Sequence, residues 1–381
     1  MSLAEVVAHK RVLICVGSGG VGKTTLSAAI GVHAAAQGRK VVVCTIDPAR
    51  RLANSLGLTE LGNVETRVPP DKLAAAGLQA KGELYAMMLD LKRSWDEFIL
   101  RHAPPDKRDA ILSSRFYQQL SSALIGSQEY VAMEKMVELS ESRDYDLLVL
   151  DTPPTTNALD FLDAPNRVLD FFGDDTVRFM LAPALKAGRM GLKMFQLTGG
   201  YMIKTLSRFT GMEVLQELSE FLLSLAPMYE VFKRRAQQVK EMLASPKSAF
   251  VLVTSPSPLT VDEAIYFHTL LKQDGMPVAA VVANRVHPHV EPGRPGASPE
   301  HVEALARLLE NAAPQGFDES PRARLAQALT EAEMLSELDE AEVRRLAEAC
   351  APTPLVSVPR FDSDVYDVSS LRELNRHLFG G

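Results

Sequence analysis

The chain has 381 residues, 46% apolar and 23% charged, with 41 basic against 48 acidic side chains and a net charge of −7. That length allows two or three domains, or one large α/β domain with an insert, and supplies a core that needs no covalent staples. Three scattered cysteines (Cys15, Cys44, Cys350) exclude a disulfide framework and a thiolate zinc clip, the acidic balance argues against a nucleic-acid partner, and no apolar run is long enough to span a membrane, so a cytoplasmic protein is expected.

In chain order, residues 11–16 (RVLICV) form a β-branched run that leads directly into a glycine loop at 17–22. Residues 24–37 are alanine-rich and predict a helix stopped by Gly38, and residues 40–46 (KVVVCTI) predict a second strand ending at Asp47. Strand, loop, helix and strand in this order make a βαβ unit and hence a parallel sheet. Continuous apolar runs at 84–89, 147–150, 249–253, 278–283 and 355–358 fit the same sheet, because strands buried on both faces show no alternation.

Two stretches differ in character. Residues 92–136 and 165–243 show helical spacing and predict an inserted helical subdomain. The second holds seven of the fourteen methionines, and residues 176–212 carry six basic side chains and no acidic one. Residues 288–299 read as a Pro/Gly loop and 300–350 as two acidic surface helices. No internal repeat is present, so residues 1–381 are expected to form a single domain.

Residues 17–24 (GSGGVGKT) satisfy G-x-x-x-x-G-K-[ST] between a strand and a helix, the context that the motif requires. Gly19, Gly20, Val21 and Gly22 bring consecutive backbone N–H groups round a polyphosphate. Lys23 charges its β/γ oxygens, Thr24 offers a hydroxyl to Mg²⁺, and Thr25 is the last nucleotide-binding residue of the loop. Asp151 closes an apolar strand, the place where a carboxylate faces the bound metal. ATP and Mg²⁺ are the expected ligands, on a P-loop NTPase α/β fold whose mainly parallel sheet is flanked by helices. Asp47 also closes a strand, and taken alone it reads equally as a cap or a catalyst.

The segments GSGGVGKTT (17–25), DPA (47–49) and DTPPTT (151–156) together resemble the arsenite-pump and tail-anchored-protein-targeting ATPase family. The resemblance implies a dimeric ATP hydrolase in which Asp47 activates the attacking water and Thr24 and Asp151 hold the metal, the latter through water. It implies a second switch over residues 151–165, an adenine-reading amide at Asn284, and a loop at 359–362, beginning with Pro359, on the base's other edge. Departures are informative. The lysine that the family places second in the loop is Ser18, the histidine after DPA is Arg50, and a further histidine is Asn157. The family's metal-binding cysteines are missing, which weakens arsenite pumping, and His287 and His289 form the only nearby metal-like pair. A homodimer, with Arg50 substituting for the lysine, and a heterodimer with a lysine-bearing paralogue both follow.

Four readings differ in function. The leading one is a client-handling or targeting ATPase, its Met-rich insert forming a nucleotide-gated groove for apolar helices. The methionines Met190 and Met194 read equally as groove or as ordinary core. The others are a partitioning or positioning ATPase, a subunit of an anion-transport system, and a non-catalytic nucleotide-binding scaffold.

Overall fold

The computed structural model describes residues 2–47, 50–123, 127–142, 144–153, 212–289 and 319–380. Eight strands form one sheet: β1 (Val12–Val16), β2 (Lys40–Thr45), β3 (Thr66–Arg67), β4 (Glu83–Met88), β5 (Leu147–Asp151), β6 (Ser248–Thr254), β7 (Val278–Val286) and β8 (Leu355–Pro359). Their order is β3-β4-β2-β5-β1-β6-β7-β8. All pairs are parallel except β3 on β4. Seven strands lie where the apolar runs predict them. The two-residue β3 is too short to leave such a run.

Alternate residues of each strand feed two cores. Val12, Ile14 and Val16 of β1 join Val42, Leu148, Leu150 and Leu252 on one face. Leu13 and Cys15 join Val41, Val43, Val149 and Val251 on the other. This two-sided burial is why the strands read as continuous apolar runs. The second face is covered by the helices Leu3–His9, Lys23–Ala36 and Val368–Phe379, which supply Val6, Ile30 and Leu371.

The first face carries the helices Leu91–His102, Ser127–Ser142, Tyr229–Ala244 and Pro258–Gln273, and the C-terminal end of Glu319–Cys350. Asp90 caps the first of these by accepting from the Arg93 N–H at 3.0 Å. Its Trp95 and Phe98 meet Tyr130 and Phe232, with ring centroids 5.8 Å apart for Trp95–Tyr130 and 5.1 Å for Phe98–Phe232. Helices from both sequence stretches therefore share one layer. Of the described methionines there, Met228 is fully buried and Met242 packs against the core. Met190 and Met194, and the basic run around them, lie outside the described residues, as does Asn157.

The described part of the 300–350 region is one continuous helix of 32 residues, Glu319–Cys350. No helix among the described residues is long and apolar enough to cross a membrane.

Candidate functional site

The loop after β1 takes its shape from Gly17, Gly20 and Gly22, whose φ angles are 148°, 77° and 100°. A Cβ on Gly17 would lie 2.0 Å from the Val253 carbonyl oxygen, and one on Gly22 would lie 2.3 Å from Asn284 Nδ2. Neither place admits another residue. Gly22 is also the N-cap of the helix Lys23–Ala36, with no side chain capping it. The first-turn N–H groups and the positive end of the helix are thus presented to an anion.

Lys23 is buried, and its Nζ donates to the carbonyls of Gly17 and Ser18, each at 2.8 Å. Burial pulls its pKa down, and the nearby Asp151 charge opposes this. Thr24 and Thr45 both donate their hydroxyls to Asp151 Oδ2, each at 2.7 Å. The parallel register sets this meeting, since Asp151 lies beside Thr45 of β2 on one side and Cys15 of β1 on the other. Thr152 then pins the chain beyond β5 by donating its hydroxyl to the Cys15 carbonyl at 2.8 Å. Asp151 Oδ1 is buried and has no hydrogen-bond partner among the described residues. Burial pushes the Asp151 carboxyl up to about 6, against the pull of the two hydroxyls and Lys23.

Asp47 follows β2, half-buried, and its N–H donates to Thr45 Oγ1 at 3.1 Å. Thr45 therefore bridges both carboxylate residues, a role that sequence reasoning missed. The only trace it leaves is a hydroxyl in an otherwise apolar strand. Asp47 also lines a cavity of about 180 Å³ at the ends of β2 and β4, with Thr45, Arg50, Glu60, Leu61 and Met88. The arginine that approaches Asp47 is Arg51, with Nε 4.0 Å from Oδ2. Arg50, expected to stand near the phosphates, has a left-handed backbone and an exposed side chain 3.8 Å from Glu60.

Gly19 and Gly20 are exposed, Val21 is buried, and Thr25 is half-buried in the first turn of the helix. Ser18 donates its hydroxyl to Glu263 on the helix Pro258–Gln273. Asn284, expected at the end of its strand, lies inside β7, which runs on to Val286, and its Nδ2 donates to the Val21 carbonyl at 2.7 Å. Pro359 ends the neighbouring β8, paired with Val286. Hydrogen bonds thus link Asp47 through Thr45 to Asp151, Asp151 to Thr24, and Asn284 to the glycine loop at Val21.

His287 and His289 turn their Nδ1 atoms to Asp339 and Glu333 of the long helix, each at 2.7 Å. His287 Nε2 accepts from Arg360 at 2.9 Å. These contacts make the pair a clamp between the loop after β7 and that helix. All three cysteines are buried, and desolvation pushes the thiols up to about 12 for Cys15 and Cys44 and about 11 for Cys350. None is a ready thiolate.

A family model described as anion-transporting ATPase matches residues 10–294. The chain is 25% identical to a putative arsenical pump-driving ATPase 1 of Aquifex aeolicus, over 73% of this chain and 64% of that protein. It is 23% identical to ATPase GET3C of Arabidopsis thaliana, over 76% of this chain and 73% of the relative. It is 27% identical to ATPase ARSA1 of Chlamydomonas reinhardtii, over 73% of this chain but only 35% of that protein.

Proposed function

The chain belongs to the anion-transporting ATPase family, and from that premise we propose that it is a Mg²⁺-dependent ATP hydrolase whose nucleotide cycle serves a protein client. The observation that carries the first half is Asp151, a buried carboxylate with one oxygen held by the Thr24 and Thr45 hydroxyls and the other without a partner among the described residues. Hydroxyl and carboxylate oxygens side by side suit a hard, oxygen-loving cation that keeps several of its waters. When bound, Mg²⁺ supplies Lewis acidity at the β/γ-phosphate oxygens.

The remaining work falls to the chain's own residues. The glycine loop binds the phosphates through its N–H groups, and Lys23 exchanges its two carbonyl acceptors for phosphate oxygens. Thr24 and Asp151 are the residues that would hold the cation. Asp47 orients and activates the attacking water. Asn284 and Pro359 border the adenine.

The client-handling half rests on the helical layer. Helices from both insert stretches pack on the sheet face that Leu148 and Leu150 of β5 help to form, so a displacement of the strand end at Asp151 has a packed route into them through Leu150. We assign a dimer, either of two copies or with a paralogue carrying lysine where this chain has Ser18.

Phosphate release from ATP by the purified protein, with and without chelator, tests the hydrolase. Asp47→Asn should still bind ATP while turnover falls by about 10²-fold or more. Lys23→Ala should lose ATP binding. Wild-type turnover in Asp47→Asn would remove Asp47 from the chemistry, and no magnesium-dependent release from the wild type would remove the hydrolase itself.

A further inference from the structure

At the end of β7 two consecutive side chains grip two consecutive carbonyls of the phosphate loop. Asn284 Nδ2 donates to the Val21 carbonyl at 2.7 Å, and Arg285 Nη1 donates to the Gly20 carbonyl at 3.1 Å. The backbone is bent to achieve this. From Ala283 to Val286, β7 advances three residues while β8 advances two, from Ser357 to Pro359. The extra residue is a bulge, a device that re-aims side chains. Within it Arg285 has φ 64°, a left-handed conformation that disfavours any residue with a Cβ. Beyond the bulge the ladder resumes, with the Arg360 N–H donating to the Val286 carbonyl at 2.8 Å. Only two non-glycine residues in the described structure have a positive φ, and this is one of them.

We propose that Arg285 is a positioning residue for the phosphates: together with Asn284 it fixes the orientation of two peptide units of the loop. The inference rests on the nucleotide reading above. In a trans peptide the carbonyl and the N–H point in opposite directions. Holding the Gly20 carbonyl toward Arg285 therefore aims the Val21 N–H away from it, and holding the Val21 carbonyl toward Asn284 does the same for the Gly22 N–H. Both N–H groups then face the loop's interior, where the phosphates of the proposed nucleotide would sit. A donor on each carbonyl also polarises the peptide, and its N–H becomes a stronger donor in turn. The guanidinium acts most strongly because its hydrogen bond is charge-assisted. It assists the phosphates without touching them.

The test compares Arg285→Gly with wild type, using two probes with Mg²⁺ present: ATP and inorganic tripolyphosphate. Glycine keeps the left-handed backbone without strain, so the melting temperature should stay the same or rise. Affinity for both probes should fall together, by roughly fivefold for one such hydrogen bond. Arg285→Lys, which keeps a cationic donor, should recover part of the loss. Unchanged tripolyphosphate affinity in Arg285→Gly would overturn the proposal, and so would a loss confined to ATP, which would place Arg285 at the base. A wild-type protein that binds neither probe would instead defeat the nucleotide reading on which this one stands.

Discussion

The Thr45 hydroxyl makes two contacts, and both matter to the proposed chemistry. It donates to Asp151 Oδ2 and accepts from the Asp47 N–H, so one oxygen fixes the distance between the carboxylates assigned to metal and to water. Thr45→Val keeps the shape and removes both bonds. Left without Thr45, Asp151 is a buried carboxylate with one hydroxyl fewer to offset its desolvation. A hydrogen bond to a charged group is worth about 1.5–3 kcal/mol, so kcat/KM should fall by about tenfold to a hundredfold. Thr45→Ser, which retains the hydroxyl, should stay close to wild type. Steady-state phosphate release decides it: a Thr45→Val enzyme with unaltered kcat/KM would mean that the bridge is incidental.

Among the elements, the helices Ser127–Ser142 and Tyr229–Ala244 are joined by a buried ion pair. Arg235 meets Glu134, the two side chains 8% and 9% exposed, and also reaches Glu141. Burial pushes the Glu134 carboxyl up, and the Arg235 guanidinium pulls it down. Removing the cation alone strands the buried Glu134 carboxylate, so Arg235→Met should cost about 3–5 kcal/mol in denaturant unfolding. Replacing the buried pair together, as Glu134→Leu with Arg235→Met, should recover much of that. A loss below about 1 kcal/mol in the single variant would show that water reaches the pair and that it does not hold the layer. This link joins residues 94–101 positions apart in sequence, and nothing local marks it. The same limit governs the rest of the molecule. Strands β1, β2 and β4 to β8 and the glycine loop were legible because burial on two faces and phosphate binding each impose a local pattern. The reach of β7 past Ala283 was not, since the apolar run stops there and the bulge that lets the ladder resume depends on β8. Thr45, Arg51 and Arg285 were likewise hidden, because their roles come from neighbours that only the fold supplies.

At the scale of the whole molecule, the proposed dimer would bring two copies, or this chain and a paralogue, face to face at their nucleotides. Two phosphate loops brought together accumulate negative charge, and Ser18 contributes no cation to offset it. The structure adds a further anion at that position, because the Ser18 hydroxyl donates to Glu263, an exposed residue 245 positions away in sequence. A lysine introduced by Ser18→Lys would therefore meet a carboxylate of its own chain before it met a partner's nucleotide. An exposed pair of this kind is worth about 1 kcal/mol or less, which lowers the share of lysines free to reach across by up to about fivefold. Ser18→Lys alone should accordingly strengthen ATP-dependent self-association only weakly. Ser18→Lys combined with Glu263→Gln should strengthen it further, by up to about fivefold over the single variant at low salt, and the gap should close as salt rises. Sedimentation with ATP and Mg²⁺ measures both. If Ser18→Lys alone matches the double variant, Glu263 does not restrain the lysine. If Glu263→Gln alone weakens association, the carboxylate serves the interface itself, as it would by receiving a cation from a lysine-bearing paralogue. The same substitution tested in a mixture with such a paralogue then separates the two assemblies: a heterodimer should lose affinity on Glu263→Gln, whereas a homodimer, relieved of one negative charge per copy, should gain it.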